Sequence, residues 1–155
     1  MSTARTESER VELANTALYE AVERGDTVAM EQLWLNEPGV EVSCVHPGWP
    51  VLRGRSEVLR SYALIMASTD YIQFFLTDVE VSVIGDTALV TCTENILSGA
   101  PAENEGELGP LVGQLVVATN VFRRTAGGEW KVWSHHGSPV LAGEEDEEDD
   151  GDESS

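Results

Sequence analysis

A chain of 155 residues has room for one domain around one core. Its 9 Lys and Arg stand against 28 Asp and Glu, for a formal charge of −19. So few cations argue against nucleic acid and against an anionic membrane surface, both of which need clustered Lys and Arg. Nine of the acidic residues fall in 143–155, "GEEDEEDDGDESS". That stretch has no apolar side chain to offset its ordering entropy, so residues 142–155 are expected to form a disordered acidic tail. It reads as a solubility tail, or as a means of steering cations or a basic partner. The opening "MSTARTESER" has no apolar h-region and no run is long enough to span a membrane, so a cytoplasmic location is expected. Cys44 and Cys92 lie far apart in apolar, strand-like runs and read as buried free thiols.

In chain order, a disordered start at 1–7 leads into a helix from roughly Glu7 to Arg24. Val11, Ala14, Leu18, Ala21 and Val22 recur on one face of it. Gly25 stops it and Asp26 can cap a second helix, roughly Thr27 to Trp34. A turn at Asn36 to Gly39 precedes a short strand, "VEVSCVH". After the Pro-Gly-Trp-Pro turn, "RGRSEVLRSYALIMAS" is a third helix, with Ser56 as a plausible cap and Val58, Leu59, Tyr62, Ile65 and Met66 as its buried stripe. Four strands follow: "YIQFFLTDVEVSVI", "DTALVTCTENIL", "LVGQLVVATNVFRR" and "EWKVWSHH". Gly85 with Asp86, and Gly127 with Gly128, mark tight hairpins. A longer acidic loop, Ser98 to Pro110, joins the middle pair. Helices first and a long antiparallel meander after them predict the α+β class. Three helices would pack in the concave face of a strongly curved sheet, leaving a blind cone whose mouth suits a ligand.

Strand alternation selects among the three histidines. On the last strand Trp130, Val132, Ser134 and His136 share one face, and Lys131, Trp133 and His135 the other. Because Lys131 prefers solvent, His136 is expected to face inward. On the early strand Cys44 and His46 share a face with Val42. His135 and His136 point apart, so a three-histidine metal site is not expected. Trp49, after a glycine in a turn, would hang over the mouth, and Tyr62, Met66 and Phe74 are either pocket wall or ordinary core. Glu94 shares a face with Ala88, Val90 and Cys92. It is either a buried acid with a raised pKa or part of the outer, partner-facing side. There is no nucleophile elbow, phosphate loop or dinucleotide fingerprint.

The stretches "ALYEAVERGDTVAMEQLW", "CVHPGWPVLRGRSEVLRSY" and "ATNVFRRTAGGEWKVWSHH", with the closing "GSPV", resemble the SnoaL-like branch of the nuclear transport factor two-like superfamily over about residues 8 to 141. The resemblance implies a cone-shaped, cystatin-like barrel for that domain. It also implies isomerase, cyclase or dehydratase chemistry, since ketosteroid isomerases belong to the same superfamily. Their general-base aspartate precedes a proline on the strand before the third helix, a place taken here by His46 of "VHP". Their oxyanion tyrosine matches Leu18, with Tyr19 one residue off and turned about 100° away. Their protonated aspartate falls near "TNV", where Asn120 can donate a hydrogen bond but is no acid.

The expected site therefore has His46 as base and His136 as its partner. Asn120 would be a polar anchor, and Trp49, Tyr62 and Tyr19 further substrate contacts. No cofactor is implied, because acid/base chemistry in a dry cone proceeds without one. The expected ligand is a hydrophobic small molecule, and the expected assembly a homodimer through the exposed sheet face. The alternative is a non-catalytic ligand-binding or accessory domain with a protein partner for its tail.

Overall fold

The computed structural model describes residues 5–101 and 108–141. Helix α1 spans Glu7–Arg24. Its start is a capping box: Thr6 Oγ1 accepts from the Glu9 amide, and Glu9 accepts from the Thr6 amide. Thr6 and Glu7, placed by the sequence reading in a disordered start, are thus part of the helix entry. Gly25 ends α1 at φ 64°. The Asp26 carboxylate caps α2, Thr27–Leu33, by accepting from the Ala29 amide at 3.0 Å.

Two short strands follow, β1 at Ser43–Val45 and β2 at Leu52–Arg53. Helix α3 spans Arg55–Ala67. Its cap position is Gly54 at φ 90°, and no side chain caps it. Ser56, the expected cap, already lies in the first turn, because the chain enters α3 through a conformation that favours glycine. Arg55 then reaches back to the carbonyls of Trp34 (2.8 Å) and Glu31 (3.1 Å), tying α3 to the end of α2.

The long strands are β3 (Tyr71–Ile84), β4 (Thr87–Pro101), β5 (Leu108–Arg124) and β6 (Trp130–Pro139). β4 and β5 run further than expected: Ser98 to Pro101 and Leu108 to Pro110, taken as loop, are strand. The rest of that loop, and the acidic tail, lie outside the described residues. The sheet order is β2-β1-β6-β5-β4-β3. All pairs are antiparallel except β1 with β6, which are parallel. The sheet curves without closing, with the helices on its concave face. Val11, Leu18 and Val22 of α1, Met30 of α2 and Val58 of α3 pack there against Val90, Phe122 and Val132. No helix among the described residues is long and apolar enough to cross a membrane.

Two bulges shape the concave face. In β3 one extra residue lies between Thr77 and Glu80, with Asp78 at φ 54°. In β6, Val121 pairs with Ser134 but Phe122 pairs with Val132, so Trp133 is an extra residue. An extra residue reverses the alternation beyond it and bends the strand. Trp130 and Val132 face inward as expected, but past Trp133 the inward residue is His135, which is buried, and His136 is exposed. The sequence reading had these two histidines exchanged because it carried one alternation through the whole strand.

Candidate functional site

A cavity of about 150 Å³ opens between the helices and the sheet. Leu18, Val22, Ile65, Ile72, Phe74 and Ile96 form its apolar wall. Its polar side chains are Tyr19, His46, Tyr62, Glu94 and His135, and Trp49 and Pro47 edge it. The elements that line it do so for local reasons. Asn15, Leu18, Tyr19 and Val22 recur at helical spacing on the buried face of α1. Val58, Ser61 and Tyr62 do the same on α3. Alternation along β4 puts Cys92, Glu94 and Ile96 inward, and the β6 bulge adds His135.

One hydrogen-bonded chain runs along the sheet-side wall of the cavity from β4 to β6. The Tyr19 hydroxyl donates to Glu94 Oε2 at 2.5 Å. Asn120 Nδ2 donates to Tyr19 Oη at 3.1 Å and to Asn15 Oδ1 at 2.8 Å. Asn120 Oδ1 is 2.5 Å from His135 Nδ1. On the opposite wall, His46 Nε2 lies 2.8 Å from Ser61 Oγ, whose own hydrogen goes to the Val58 carbonyl at 2.6 Å. The His46 ring meets Trp49 and Tyr62 edge-on, each at 4.9 Å, and lies 6.1 Å from the His135 ring.

Burial governs the protonation states. It raises the Glu94 carboxyl to about 7, against the stabilising Tyr19 hydrogen bond, so the group is close to half-ionised at neutral pH. Burial lowers His46 to about 4, and lowers His135 to about 3 with help from the neighbouring histidines, so both rings are neutral. Tyr19 is pushed well above its usual value by burial and by Glu94. The buried Cys44 thiol is raised to about 12, mainly by burial. Neither cysteine is bridged, and neither is poised as a nucleophile.

Comparison with known proteins places this geometry. The model of the SnoaL-like domain matches residues 11–142. The chain belongs to the SnoaL-like family. Among solved structures it is similar to a protein of the NTF2-like family from Streptomyces avermitilis, described as a candidate dehydratase. The two are 71% identical over 86% of this chain and 95% of that one, with a TM-score of 0.81. A ketosteroid isomerase-like protein from Erwinia carotovora atroseptica shares 19% identity over 88% of this chain and 98% of its own, with a TM-score of 0.71. A protein with a cystatin-like fold from Caulobacter vibrioides shares 16% over 92% and 96%, with a TM-score of 0.72. The last two similarities show the fold alone. No protein of curated function matches the sequence.

In this SnoaL-like domain the expected site residues divide. His46, Tyr62 and Trp49 line the cavity as anticipated, with Trp49 at its rim, 38% exposed. Tyr19 also lines it, because α1 buries a stripe broad enough to hold both Leu18 and Tyr19. Asn120 is fully buried and does not line the cavity. It holds Tyr19 and His135 in place, where a direct contact to substrate was expected. His136 lies outside the cavity. Met66 borders a smaller hollow behind α3 with Met30 and Leu59, and Phe74 packs 5.0 Å from the Tyr19 ring. Sequence reasoning missed His135, Ser61 and Asn15. Helical spacing from Val58 and Tyr62 could have found Ser61, and spacing from Val11 and Leu18 could have found Asn15. Nothing in the local pattern signals the bulge that turns His135 inward.

Proposed function

We propose that this SnoaL-like domain is a cofactor-independent acid/base enzyme of the isomerase, cyclase or dehydratase kind, acting on a small hydrophobic, oxygenated molecule. The observation that carries this reading is Glu94: a carboxyl with its pKa near 7, lining an apolar cavity and held by Tyr19. A general base works best when its pKa lies near the working pH. His46, the base expected from position, is the poorer one, since burial leaves it neutral down to about 4 and Ser61 engages its Nε2.

In the proposed reaction Glu94 removes a proton from a carbon next to a carbonyl, and the electron pair moves to the carbonyl oxygen. Once protonated, Glu94 no longer holds the Tyr19 hydrogen strongly, and that hydroxyl is released to the developing oxyanion. Glu94 then returns the proton. Delivered to another carbon it completes an isomerisation, and delivered to a β-hydroxyl it releases water.

The test needs no natural substrate. 5-Nitrobenzisoxazole opens when a base removes its C3 proton, breaking the ring N–O bond to give a cyanophenolate. Turnover should rise with an apparent pKa near 7 and fall about 100-fold or more in Glu94→Gln, the usual weight of a general base. Equal rates for wild type and variant would refute Glu94 as the base.

The assembly we propose is a homodimer through the convex sheet face, where Phe75, Leu89, Leu115 and Val117 are exposed. Light scattering that returns a monomer mass would end that proposal. Two unbridged, buried thiols support a reducing, cytoplasmic setting.

A further inference from the structure

The hydrogen bonds around the cavity determine what its free polar atoms can accept or donate. With Glu94 ionised, its Oε2 accepts the only hydrogen on Tyr19 Oη. Tyr19 Oη can then only accept from Asn120, so it is Nδ2 that points at it. That orientation turns Asn120 Oδ1 toward His135. His135 Nδ1 must therefore carry the ring hydrogen, and its Nε2 is left as a bare acceptor. Among the described residues neither His135 Nε2 nor Glu94 Oε1 has a partner. Neither is one of the sealed-off orphan atoms, which are Asn15 Nδ2 and Trp34 Nε1, and both residues line the cavity. On the facing wall the Ser61 hydrogen is spent on the Val58 carbonyl, so His46 Nε2 is the donor to Ser61. His46 Nδ1 is then an acceptor with the Cys44 thiol as its neighbour at 3.9 Å, and the same sulfur lies 3.6 Å from Nε2. Among the described residues no Lys or Arg lines the cavity.

The Tyr62 hydroxyl is engaged by the Cys44 sulfur. The unpaired atoms of the sheet-side wall are thus acceptors, in a space that no Lys or Arg among the described residues lines. We propose that the cavity selects an uncharged molecule of about one ring that bears hydroxyl groups, donating hydrogen bonds to His135 Nε2 and to Glu94, and that it rejects the corresponding carboxylates. The size follows from the volume: an apolar protein cavity of about 150 Å³ is known to hold benzene. A carboxylate would meet the like charge of Glu94 with no cation to offset its desolvation. An apolar ring would displace water from two acceptors and leave them unpaired. The proposal rests on the acid/base reading only in taking Glu94 as ionised.

Four probes of matched size separate these cases: resorcinol, which donates twice; m-xylene, of the same shape with no polar group; benzaldehyde, which only accepts; and benzoate. Each is titrated at pH 8 into the 15N-labelled full-length protein, followed by backbone amide shifts and by the ring nitrogens of His135. Resorcinol should bind about tenfold or more tightly than m-xylene or benzaldehyde, as expected for one or more unpaired acceptors. Benzoate should not bind. The free protein should show His135 protonated at Nδ1, with a bare Nε2 whose resonance moves on adding resorcinol. His135→Phe should abolish the preference for resorcinol while keeping m-xylene.

Benzoate or m-xylene binding as well as resorcinol, no binding of resorcinol, or a proton found on His135 Nε2 would each overturn the proposal. The wild-type panel decides it even if His135→Phe does not fold. Benzisoxazole opening separates the two claims. A failed panel with a Glu94-dependent rate sinks the selectivity alone. A kept preference, with benzisoxazole shown by the same amide shifts to bind at high concentration yet not opened, sinks the acid/base reading alone.

Discussion

The two walls of the cavity each end in a neutral, buried histidine, but they are prepared differently. On the α3 side His46 is set by one neighbour, Ser61, which is itself tied to Val58 one helical turn earlier. On the sheet side His135 is set through Asn120, which also holds Asn15 and Tyr19, and the chain ends on the ionisable Glu94. The first arrangement is local and carries no charge. The second joins α1, β4, β5 and β6, so a change in any member reaches the base. A neutral histidine alone therefore says little about its role. What its other nitrogen is bonded to decides whether it is a wall or part of the proton-handling chain.

The contrast is broken most severely at Asn120. Asn120→Leu is close in volume but leaves Asn15 Oδ1 and His135 Nδ1 without their partner and removes a donor from Tyr19. Buried polar groups left unpaired cost about 1–3 kcal/mol each, so a loss of about 4 kcal/mol in urea unfolding is expected. A loss below about 1 kcal/mol would show that the chain is not closed in solution.

Glu94→Gln should do the opposite to stability. The Glu94 carboxyl goes from an ordinary 4.5 to about 7 on folding. Its favourable contribution is fully present below pH 4.5 and is lost as pH rises through 7, which amounts to about 3 kcal/mol. The glutamine variant should be more stable than wild type by roughly that much at pH 8 and show no advantage at pH 4. The histidines have the reverse sign. Lowered from 6.5 to about 4 and about 3, they contribute stability above pH 6.5 that is lost as pH falls through those values. Wild type should therefore weaken between pH 6.5 and 4, even as Glu94 gains its proton. Unfolding curves at four pH values check both signs.

Much of this was readable in the sequence because it depends on local periodicity. The α1 stripe and its Gly25 stop, the Asp26 cap, and the hairpins at Gly85 and Gly127 all follow from neighbouring residues. Alternation put His46 on one face with Cys44 and Val42, and the resemblance at "VHP" implied its place in the pocket. What could not be read depends on contacts distant in sequence. The parallel pairing of β1 with β6 joins Ser43 to Ser134. The bulge at Trp133 changes which of two adjacent histidines is buried, and no residue type marks it. Alternation showed that Glu94 shares a face with Ala88, Val90 and Cys92, but a shared face has no inside until a helix covers it. Burial in the folded chain is what raises that carboxyl, against the hydrogen bond from Tyr19.

Ser61→Ala is the mildest change and the one that best sharpens the comparison. It removes one neutral hydrogen bond from His46 Nε2 and shortens a helical side chain that is 3% exposed. A cost of about 1 kcal/mol is expected. Because no bond joins Ser61 to the chain that ends on Glu94, the pH midpoint of benzisoxazole opening should stay near 7, and His135 should keep its hydrogen on Nδ1. His46 alone should change, in its tautomer and in its ring contacts with Trp49 and Tyr62. If the midpoint moves with Ser61, the two walls are coupled across the 6.1 Å between the histidine rings. The cavity would then have to be treated as a single titrating unit.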